Sequence, residues 1–264
     1  MKLDTGRVEA NIPMLRGVWG KAIRELCPEL YREIFDVESS SGSVAASPPY
    51  IVRVASPDPE WIPAIEWILV GNGVEHAEEL LRCWHYAATC GLGREREPME
   101  IERLEAILPD ESTTREAATW PLSQPAWPLP PDAPCRLVFP VPLRLRYRGR
   151  LVESPTLCDI VASLNRRIAG FLPADDRSLW LALGKQFMEC ARGTLQERWA
   201  GERLDLVRYS GRQKREVDVH GVVGSLTLPR GAGLLAPLLA AARWIHVGKH
   251  TVMGLGQLLV EPLE

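Results

Sequence analysis

Residue types that could do chemistry concentrate in one stretch near the C-terminus of this 264-residue chain. Residues 244–257 read WIHVGKHTVMGLGQ, and Lys249 and His250 stand side by side within them. The same stretch carries three glycines, Gly248, Gly254 and Gly256. Glycines let a backbone approach a ligand closely, and they permit positive-φ turns whose N–H groups converge on an anion. The stretch is therefore predicted to hold a phosphate, with Lys249 and His250 facing it.

The helix predicted over Leu234 to Arg243 runs into this stretch with its C-terminal end, where the helix dipole opposes an anion. Phosphate binding would then depend on loop N–H groups and cationic side chains. A Walker A loop is excluded, because Gly248-Lys249-His250 lacks the upstream glycine at the required spacing and follows a helix. A dinucleotide-binding fingerprint is excluded for the same reason.

The chain has five histidines, and their flanking residues separate them as acid/base candidates. His76 and His85 fall in a predicted helix, where a surface or core role is expected. His220 sits beside a predicted hairpin turn, and His246 falls at a buried helix or strand end. His250 is the best candidate for moving a proton, with simple phosphate contact as its alternative role.

A site made of cations alone is the main alternative to histidine catalysis. Its candidates are Lys249, Arg24 in the first predicted helix and Arg243 at the end of the last one. Fixed cations of this kind neutralise the negative charge that builds up on a reacting phosphate.

Further cations gather on predicted surface elements outside the glycine-rich stretch. A predicted hairpin of the second half carries four of them beside one serine: Arg208, Ser210, Arg212, Lys214 and Arg215. A predicted helix of the same half carries Arg166 and Arg167, and the first predicted helix carries Arg16. Contacts with RNA are predicted there, because arginines can grip A-form RNA through phosphates and 2′-OH groups. A solvated helix face and simple protection of a strand edge stay open as alternatives.

Composition limits the class of protein. The chain is 46% hydrophobic and 25% charged, with a formal net charge of −3 and a pI near 6.0. We therefore expect a globular protein in which any nucleic-acid contact is a local basic patch. The six cysteines form no CxxC pair, no apolar run reaches transmembrane length, and no cationic start with an apolar core opens the chain. These features predict a cytoplasmic protein with reduced thiols, no metal, no cofactor and no membrane partner.

The elements that must position these residues follow from hydrophobic periodicity. The first half is predicted to contain a strand over residues 1 to 12, a helix over Pro13 to Cys27, strands over Tyr50 to Ala55 and Ile62 to Val70, a helix over Val74 to Cys90 and a strand over Met99 to Leu108. The second half is predicted to contain a strand over Arg136 to Arg148, helices over Pro155 to Phe171 and Ser178 to Trp199, strands over Leu204 to Ser210 and Glu216 to Leu228, the helix over Leu234 to Arg243 and a strand over Gly256 to Glu261.

This order of elements predicts an α+β fold with two tandem ferredoxin-like domains of the βαββαβ, RRM-like type. The second domain carries an extra helix. The domains are predicted at 1–110 and 135–264, and the proline-rich segment 111–134 between them reads as a linker that packs in extended form.

Several short motifs resemble, in their order along the chain, those of the CRISPR-associated RAMP endoribonucleases that process pre-crRNA. They are Leu15-Arg16-Gly17 to Leu26, Pro48-Pro49-Tyr50-Ile51-Val52, Gly91-Leu92-Gly93-Arg94-Glu95-Arg96, Leu164-Asn165-Arg166-Arg167, the hairpin from Arg208 to Gln213 with Gly221-Val222-Val223-Gly224, and Gly248-Lys249 followed by Gly254-Leu255-Gly256. The resemblance implies a metal-independent ribonuclease that recognises the repeat hairpin of pre-crRNA, cuts at its base and stays bound as a subunit of an effector complex. Such cleavage would leave a 2′,3′-cyclic phosphate and a 5′-OH.

The chain departs from this family at one place. Many relatives carry a general-base histidine on or just after the first helix, whereas Pro13 to Phe35 contains none. Tyr31 could orient a phosphate there, or it could be a packing residue. Two alternatives therefore remain: a RAMP-type subunit that binds crRNA without cutting it, and a ferredoxin-like oligomerisation or small-ligand domain. The second is disfavoured, because no cofactor motif is present and cations cluster around a glycine-rich loop.

Overall fold

The computed structural model describes residues 1–4, 11–35, 47–54, 65–205, 207–210, 215–218 and 220–263. The chain divides into two compact units. Unit 1 comprises Met1–Pro121 with Val252–Gly254, and unit 2 comprises Leu122–Thr251 with Leu255–Glu264. Along the chain the division falls inside the proline-rich segment 111–134.

Unit 1 is built from small antiparallel sheets and two main helices. Its elements are β1 (Lys2–Asp4), α1 (Ile12–Leu26), α2 (Pro28–Leu30), β2 (Tyr50–Val54), β3 (Ile65–Leu69), α3 (Ala77–Cys90), β4 (Glu100–Arg103), β5 (Ala106–Ile107) and β6 (Thr113–Thr114). β1 pairs with β4, β2 with β3 and β5 with β6. Reciprocal backbone hydrogen bonds of 2.9 Å between Met1 and Ile65 connect the first two pairs.

Helix α1 begins where Asn11 caps it, because the Asn11 Oδ1 accepts a hydrogen bond from the Met14 N–H at 3.0 Å. Pro28 follows directly after its C-cap and cannot continue it. The buried face of α1 centres on Trp19, which stacks on Trp84 of α3 with ring centroids 5.1 Å apart. The Trp19 indole N–H donates to the Leu80 carbonyl at 3.1 Å, so this buried polar group is satisfied.

Unit 2 contains one four-stranded antiparallel sheet with helices and two short hairpins. Its elements are β7 (Cys135–Leu143), β8 (Arg146–Tyr147), β9 (Arg150–Leu151), α4 (Leu157–Ala169), α5 (Ala174–Gly193), β10 (Ala200–Leu204), β11 (Val207–Ser210), β12 (Arg215–Asp218), β13 (Gly221–Leu228), α6 (Ala236–Ile245) and β14 (Leu259–Pro262). The strand order of the sheet is β10-β13-β7-β14. β7 lies in the interior of the sheet, and its buried residues alternate along the strand from Cys135 through Leu137 to Phe139.

Side-chain hydrogen bonds cap helix α4 of unit 2 and join it to α5. Thr156 and Asp159 form a reciprocal capping box at the start of α4. The buried Asn165 of α4 donates to the Gly184 carbonyl of α5 at 3.1 Å, and the Trp180 indole N–H of α5 donates to the Asn165 carbonyl at 3.0 Å. These bonds hold α4 and α5 against each other.

Most predicted elements are present, and the predicted mixture of helices and antiparallel strands is confirmed. Several predicted strands of unit 2 are wrong in extent. The strand predicted over Glu216 to Leu228 is divided between β12 and β13, and the one predicted over Gly256 to Glu261 begins only at Leu259. The strand predicted over Arg136 to Arg148 ends at Leu143, and Tyr147 lies on a separate exposed hairpin instead of continuing the buried alternation. The strand predicted over Leu204 to Ser210 is divided between β10 and β11, which pair with different partners.

Some predictions fall on residues outside the described ranges. These are residues 5–10 of the first strand, 55 at the end of the second strand, 62–64 of the third, 206 in the strand predicted over Leu204 to Ser210 and 219 in the strand predicted over Glu216 to Leu228. Among the described residues, no helix is long and apolar enough to cross a membrane.

Candidate functional site

The glycine-rich stretch starts at the C-terminal end of α6. The backbone leaves the helix at His246, which has a φ of +60° and is fully buried. One imidazole nitrogen of His246, Nδ1, lies 3.0 Å from the Leu255 carbonyl, so this ring ties the two ends of the loop together. The prediction of a buried histidine at a helix end is confirmed for His246.

Gly248 and Gly256 are needed because the loop packs tightly on its own chain. Both have positive φ, +88° and +70°. A Cβ on Gly256 would lie 1.8 Å from the Val247 carbonyl oxygen, and one on Gly248 would lie 2.6 Å from the Arg144 carbonyl oxygen. Such contacts are sterically impossible without moving the backbone. Gly248 and Gly256 are therefore required by the fold of the loop. The sequence had predicted a different role, the close approach of a ligand to the backbone.

Three N–H groups of the loop donate to protein acceptors. The Gly248 N–H bonds to the Ser163 Oγ at 3.0 Å, and the Lys249 and Gly256 N–H groups bond to the carbonyls of Arg144 and Pro142, each at 3.0 Å. The prediction that glycine N–H groups hold a phosphate is therefore wrong for Gly248 and Gly256. The side chains, and not these amides, are what the loop can offer to an anion.

Lys249 and His250 are the candidate acid/base and cationic side chains that this loop carries. Lys249 is exposed, and His250 is half-buried with a φ of +62°. A positive φ at a residue with a Cβ costs about 1–2 kcal/mol, and such strain clusters at functional sites. The loop therefore holds an ammonium and an imidazole at consecutive positions, which are the groups needed to neutralise charge and to move a proton.

Gly254 belongs to the short part of the loop, Val252–Gly254, that is grouped with unit 1. Its φ is +79°, and a Cβ placed on it would lie 3.2 Å from the Val52 carbonyl oxygen of β2. The close approach of Gly254 to the buried strand β2 is thus a packing contact within unit 1. Its predicted contact with RNA stays a prediction.

The neighbouring residues Arg166 and Arg167 of α4 have opposite environments. Arg166 is exposed, whereas Arg167 is only 8% exposed. The Arg167 Nε donates to the carbonyl of Ile245 at 2.6 Å, and its guanidinium lies 5.0 Å from the centre of the Phe171 ring. Burial lowers the pKa of Arg167 to about 9, which still leaves a cation at neutral pH. This burial removes Arg167 from the predicted RNA-binding set.

Arg167 instead has a positioning role. Ile245 is the last residue of α6, and a cation at a helix C-terminus interacts favourably with the exposed carbonyls there. Because the loop begins at the next residue, the bond from Arg167 fixes the point at which the glycine-rich loop leaves the helix.

Two candidate cations of unit 1 differ in the same way. Arg24 is exposed in the last turn of α1. Arg16 is half-buried; its Nε donates to the Tyr50 hydroxyl at 2.8 Å, and its guanidinium lies 4.1 Å from the centre of the Phe35 ring. Burial raises the pKa of Tyr50 to about 12 even though Arg16 acts in the opposite direction. Arg16 is thus a packing residue of unit 1, a role that the sequence did not predict.

The remaining predicted residues lie on α6 and on a hairpin. Arg243 is half-buried in the last turn of α6. The predicted hairpin exists as β11 paired with β12, in which Arg208 is opposite Val217 and Ser210 is opposite Arg215. Arg212 and Lys214 lie outside the described residues. The RNA-binding role of the hairpin stays a prediction.

The three remaining histidines, His76, His85 and His220, lie outside the glycine-rich stretch. His76 lies 3.3 Å from a carboxylate oxygen of Glu79 and 3.7 Å from one of Glu33, and His85 is exposed on α3. The His220 carbonyl accepts a hydrogen bond from the Arg144 side chain at 2.7 Å. Within the part of the chain that the structure describes, no three His, Cys, Asp or Glu side chains are grouped to hold a metal ion.

Sequence reasoning missed two residues that build the loop. Ser163 receives the Gly248 N–H, and Arg144 supplies the carbonyl that receives the Lys249 N–H. Both are buried polar residues, 7% and 5% exposed. Ser163 could have been singled out, because it is a polar residue at a position of α4 that faces the core. Arg144 directly follows β7 in a run of apolar residues, which is an unusual place for an arginine.

One family model matches part of the chain. Residues 137–258 match the family model of the CRISPR-associated endoribonuclease Cas6, a range that includes Ser163, Arg144 and the whole loop. Over these residues the match confirms the resemblance to CRISPR-associated endoribonucleases that the sequence predicted. No protein in the curated set matches the chain.

Solved structures resemble the fold over nearly the whole chain. A Cas6 (TTHB231) product complex, from a protein also solved as Thermus thermophilus Cas6, is 18% identical with a TM-score of 0.60 and covers 98% of this chain and 97% of that one. A Cas6 (TTHA0078) product complex is 22% identical with a TM-score of 0.53, covering 95% and 93%. A Cas6 (TTHA0078) substrate mimic complex is 22% identical with a TM-score of 0.52, covering 98% and 96%. At these identities the likeness shows the fold.

Proposed function

We propose that this chain is a CRISPR-associated endoribonuclease of the Cas6 family, which binds the repeat hairpin of pre-crRNA and cuts it to mature crRNA. The reaction needs no metal, and the protein stays bound to its product in the cytoplasm as a subunit of an effector complex. We also infer that its two units are tandem ferredoxin-like domains. The order β10-β13-β7-β14 in unit 2 supports this, because it is the strand order of a βαββαβ domain.

The observation that carries the proposal is the pair Lys249 and His250 on the strained loop. The pair lies inside the segment that matches the Cas6 family model. The conformation of the loop is fixed by hydrogen bonds from Gly248, Lys249 and Gly256 to buried acceptors. A rigid support of this kind is what a group that acts on a reacting phosphate requires.

The chemistry follows from these two side chains. The 2′-OH of the nucleotide before the cut loses its proton and its oxygen attacks the adjacent phosphorus. The bond from phosphorus to the 5′-oxygen breaks, and that oxygen takes up a proton as it leaves. The products are a 2′,3′-cyclic phosphate and a 5′-OH. In this mechanism His250 moves a proton and Lys249 neutralises charge on the five-coordinate phosphate, with Arg24 and Arg243 as further candidates.

A second candidate function is a subunit that binds crRNA without cutting it. The observation that favours it is the lack of any histidine between Pro13 and Phe35. Tyr31 is half-buried, and its ring stacks on Phe35 with centroids 5.2 Å apart. His250 is then the residue on which the choice between the two functions depends.

The experiment that tests the proposed chemistry uses two repeat RNAs that differ by one atom. One carries the natural ribose at the nucleotide before the cut, and the other carries a 2′-deoxyribose there. We expect both to bind equally and only the first to be cut, because the second lacks the attacking oxygen. Cleavage of the deoxy RNA would exclude 2′-OH attack, and binding of both without cleavage would favour the non-catalytic subunit.

A further inference from the structure

A short hairpin of unit 2, β8 with β9, is not part of the site described above. Its sequence from 146 to 151 is RYRGRL. Tyr147 is opposite Arg150, and the two-residue turn at Arg148 and Gly149 has φ values of +48° and +81°. Two positive φ angles are typical of the tight turn that joins two strands of a hairpin. The residues before the hairpin, Leu143 to Leu145, are buried and anchor it.

The hairpin places an aromatic ring in solvent among three arginines. Tyr147 is 65% exposed, more than any other aromatic residue whose side-chain burial the structure describes. Arg146, Arg148 and Arg150 are exposed as well. The Arg148 guanidinium lies 5.3 Å from the centre of the Tyr147 ring, close enough to hold the ring in place by a cation–π contact.

The charge of this hairpin is not neutralised locally. Among the described residues, no carboxylate forms an ion pair with any of its three arginines. The nearest carboxylate along the chain, Glu153, pairs with Arg203 at 3.1 Å. The whole chain has a net charge of −3, so the hairpin is a concentrated basic patch on an acidic protein.

The hairpin is also joined to the glycine-rich loop. The Lys249 N–H bonds to the carbonyl of Arg144, two residues before Arg146. The base of the hairpin and the Lys249 backbone are therefore neighbours in unit 2, and an RNA strand held at Lys249 could continue onto the hairpin.

We propose that the hairpin Arg146–Leu151 binds an unpaired nucleotide of the RNA, with its base stacked on Tyr147 and the neighbouring phosphates held by the arginines. This rests on the proposed function in RNA binding. An unpaired nucleotide is favoured over a duplex, because a base must expose its face to stack on an aromatic ring, whereas duplex RNA presents phosphates and 2′-OH groups. It is favoured over a protein partner, because Tyr147 stands among cations without an apolar surround.

The test measures binding alone. The full-length protein is titrated into a labelled single-stranded RNA of about ten nucleotides without secondary structure, and fluorescence anisotropy gives the dissociation constant. Tyr147→Ala should weaken binding by about tenfold, the effect expected from the loss of one stacked base. Tyr147→Phe keeps the ring and should bind as the wild type does. If Tyr147→Ala binds the single-stranded RNA with the affinity of the wild type, the proposal is overturned.

The arginines have a separate test with a matched control. Arg148→Ala with Arg150→Ala should make the negative slope of log K against log salt less steep by about 1 to 1.5. Arg192→Ala with Arg198→Ala removes the same charge from exposed positions of unit 2 and should leave the slope nearly unchanged. Equal slopes for the two double variants would show that the arginines of the hairpin act only as general surface charge. This result would overturn their assignment as phosphate contacts.

The same variants separate this proposal from the proposed cleavage. If the wild type binds single-stranded RNA but cuts nothing, the Tyr147 effect still decides the role of the hairpin. If the wild type cuts repeat RNA, binding is measured again with a repeat hairpin whose unpaired flanks have been removed. On this trimmed RNA, Tyr147→Ala and the wild type should bind with equal affinity. An effect that persists on the trimmed hairpin would contradict recognition of an unpaired nucleotide.

Discussion

At the scale of single residues, the loop combines a strained histidine with an exposed lysine. His250 has a φ of +62°, a conformation that is unfavourable for a residue with a Cβ. The Lys249 N–H donates a hydrogen bond to the carbonyl of the buried residue Arg144, and this bond helps to hold the conformation. Such backbone strain costs free energy of folding, and it is found at functional sites where a side chain must face a substrate in one orientation.

Replacing His250 by Ala should lower the rate of RNA cleavage by roughly 10²- to 10⁴-fold, because the loss of one general acid or base has that effect. The affinity for the repeat RNA should change little. Single-turnover cleavage and a binding titration measure the two quantities. His85→Ala, at an exposed position of α3, is the matched control and should change neither. A loss confined to affinity would make His250 a phosphate contact.

Arg166 and Arg167 form a natural pair of variants. Arg167→Ala should destabilise unit 2 by about 2–3 kcal/mol, because a buried, charged hydrogen bond to Ile245 is lost. Arg166→Ala should change the free energy of unfolding by less than about 0.5 kcal/mol. Denaturant unfolding measures both. Comparable stability of the two variants would show that the buried guanidinium contributes nothing to holding the loop.

At the scale of elements, the sequence predicts the amphipathic helices well. The helix expected over Pro13 to Cys27 is Ile12–Leu26, and the one expected over Leu234 to Arg243 is Ala236–Ile245. Apolar periodicity and proline positions carry this information locally. The break of the strand expected over Arg136 to Arg148 was not predictable in that way, because the alternation of apolar residues continues through Tyr147 while the chain leaves the sheet.

The site was predictable in part for the same physical reason. The sequence identifies the glycine-rich loop and its Lys249-His250 pair. It cannot say that Gly256 faces the Val247 carbonyl instead of a ligand, because that contact is made by chain folding back on itself. It also cannot separate Arg166 from Arg167, since one residue of rotation along α4 decides between solvent and core.

The loop should tolerate no side chain at Gly256. Gly256→Ala should destabilise the protein by more than about 2 kcal/mol, because its Cβ would overlap the Val247 carbonyl at a positive φ. It should lower cleavage as well. Gly17→Ala is the control, since nothing lies within 4 Å of its Cβ in helix α1 and a gain of about 0.5–1 kcal/mol is expected there. Thermal and denaturant unfolding test both; a stable Gly256→Ala protein would contradict the packing described.

At the scale of the whole molecule, an acidic chain is proposed to hold an RNA product through local basic patches. Because a folded RNA hairpin offers many phosphates, release of the cut product should be slow. Excess repeat RNA should therefore give about one cut per protein molecule, measured as a burst that levels off. Continued turnover at a constant rate would show that the product leaves freely.

The same patches should make binding sensitive to salt. Arg215 lies in β12 of the hairpin β11–β12, and Arg212 is one of the predicted RNA-binding residues outside the described ranges. Arg212→Ala with Arg215→Ala should make the negative slope of log K against log salt less steep by roughly 1 to 2. The titration uses the repeat hairpin at several salt concentrations. A slope equal to that of the wild type would place this hairpin outside the RNA interface.

The central claim is that this chain cuts repeat RNA with its own side chains. The most direct measurement incubates the purified full-length protein with end-labelled repeat RNA in EDTA and separates the products by length and by end group. The account predicts a single cut at the base of the repeat hairpin, a 2′,3′-cyclic phosphate and a 5′-OH, and none of these with His250→Ala on the same time scale. Tight binding of the intact RNA without any cut by the wild type would contradict it.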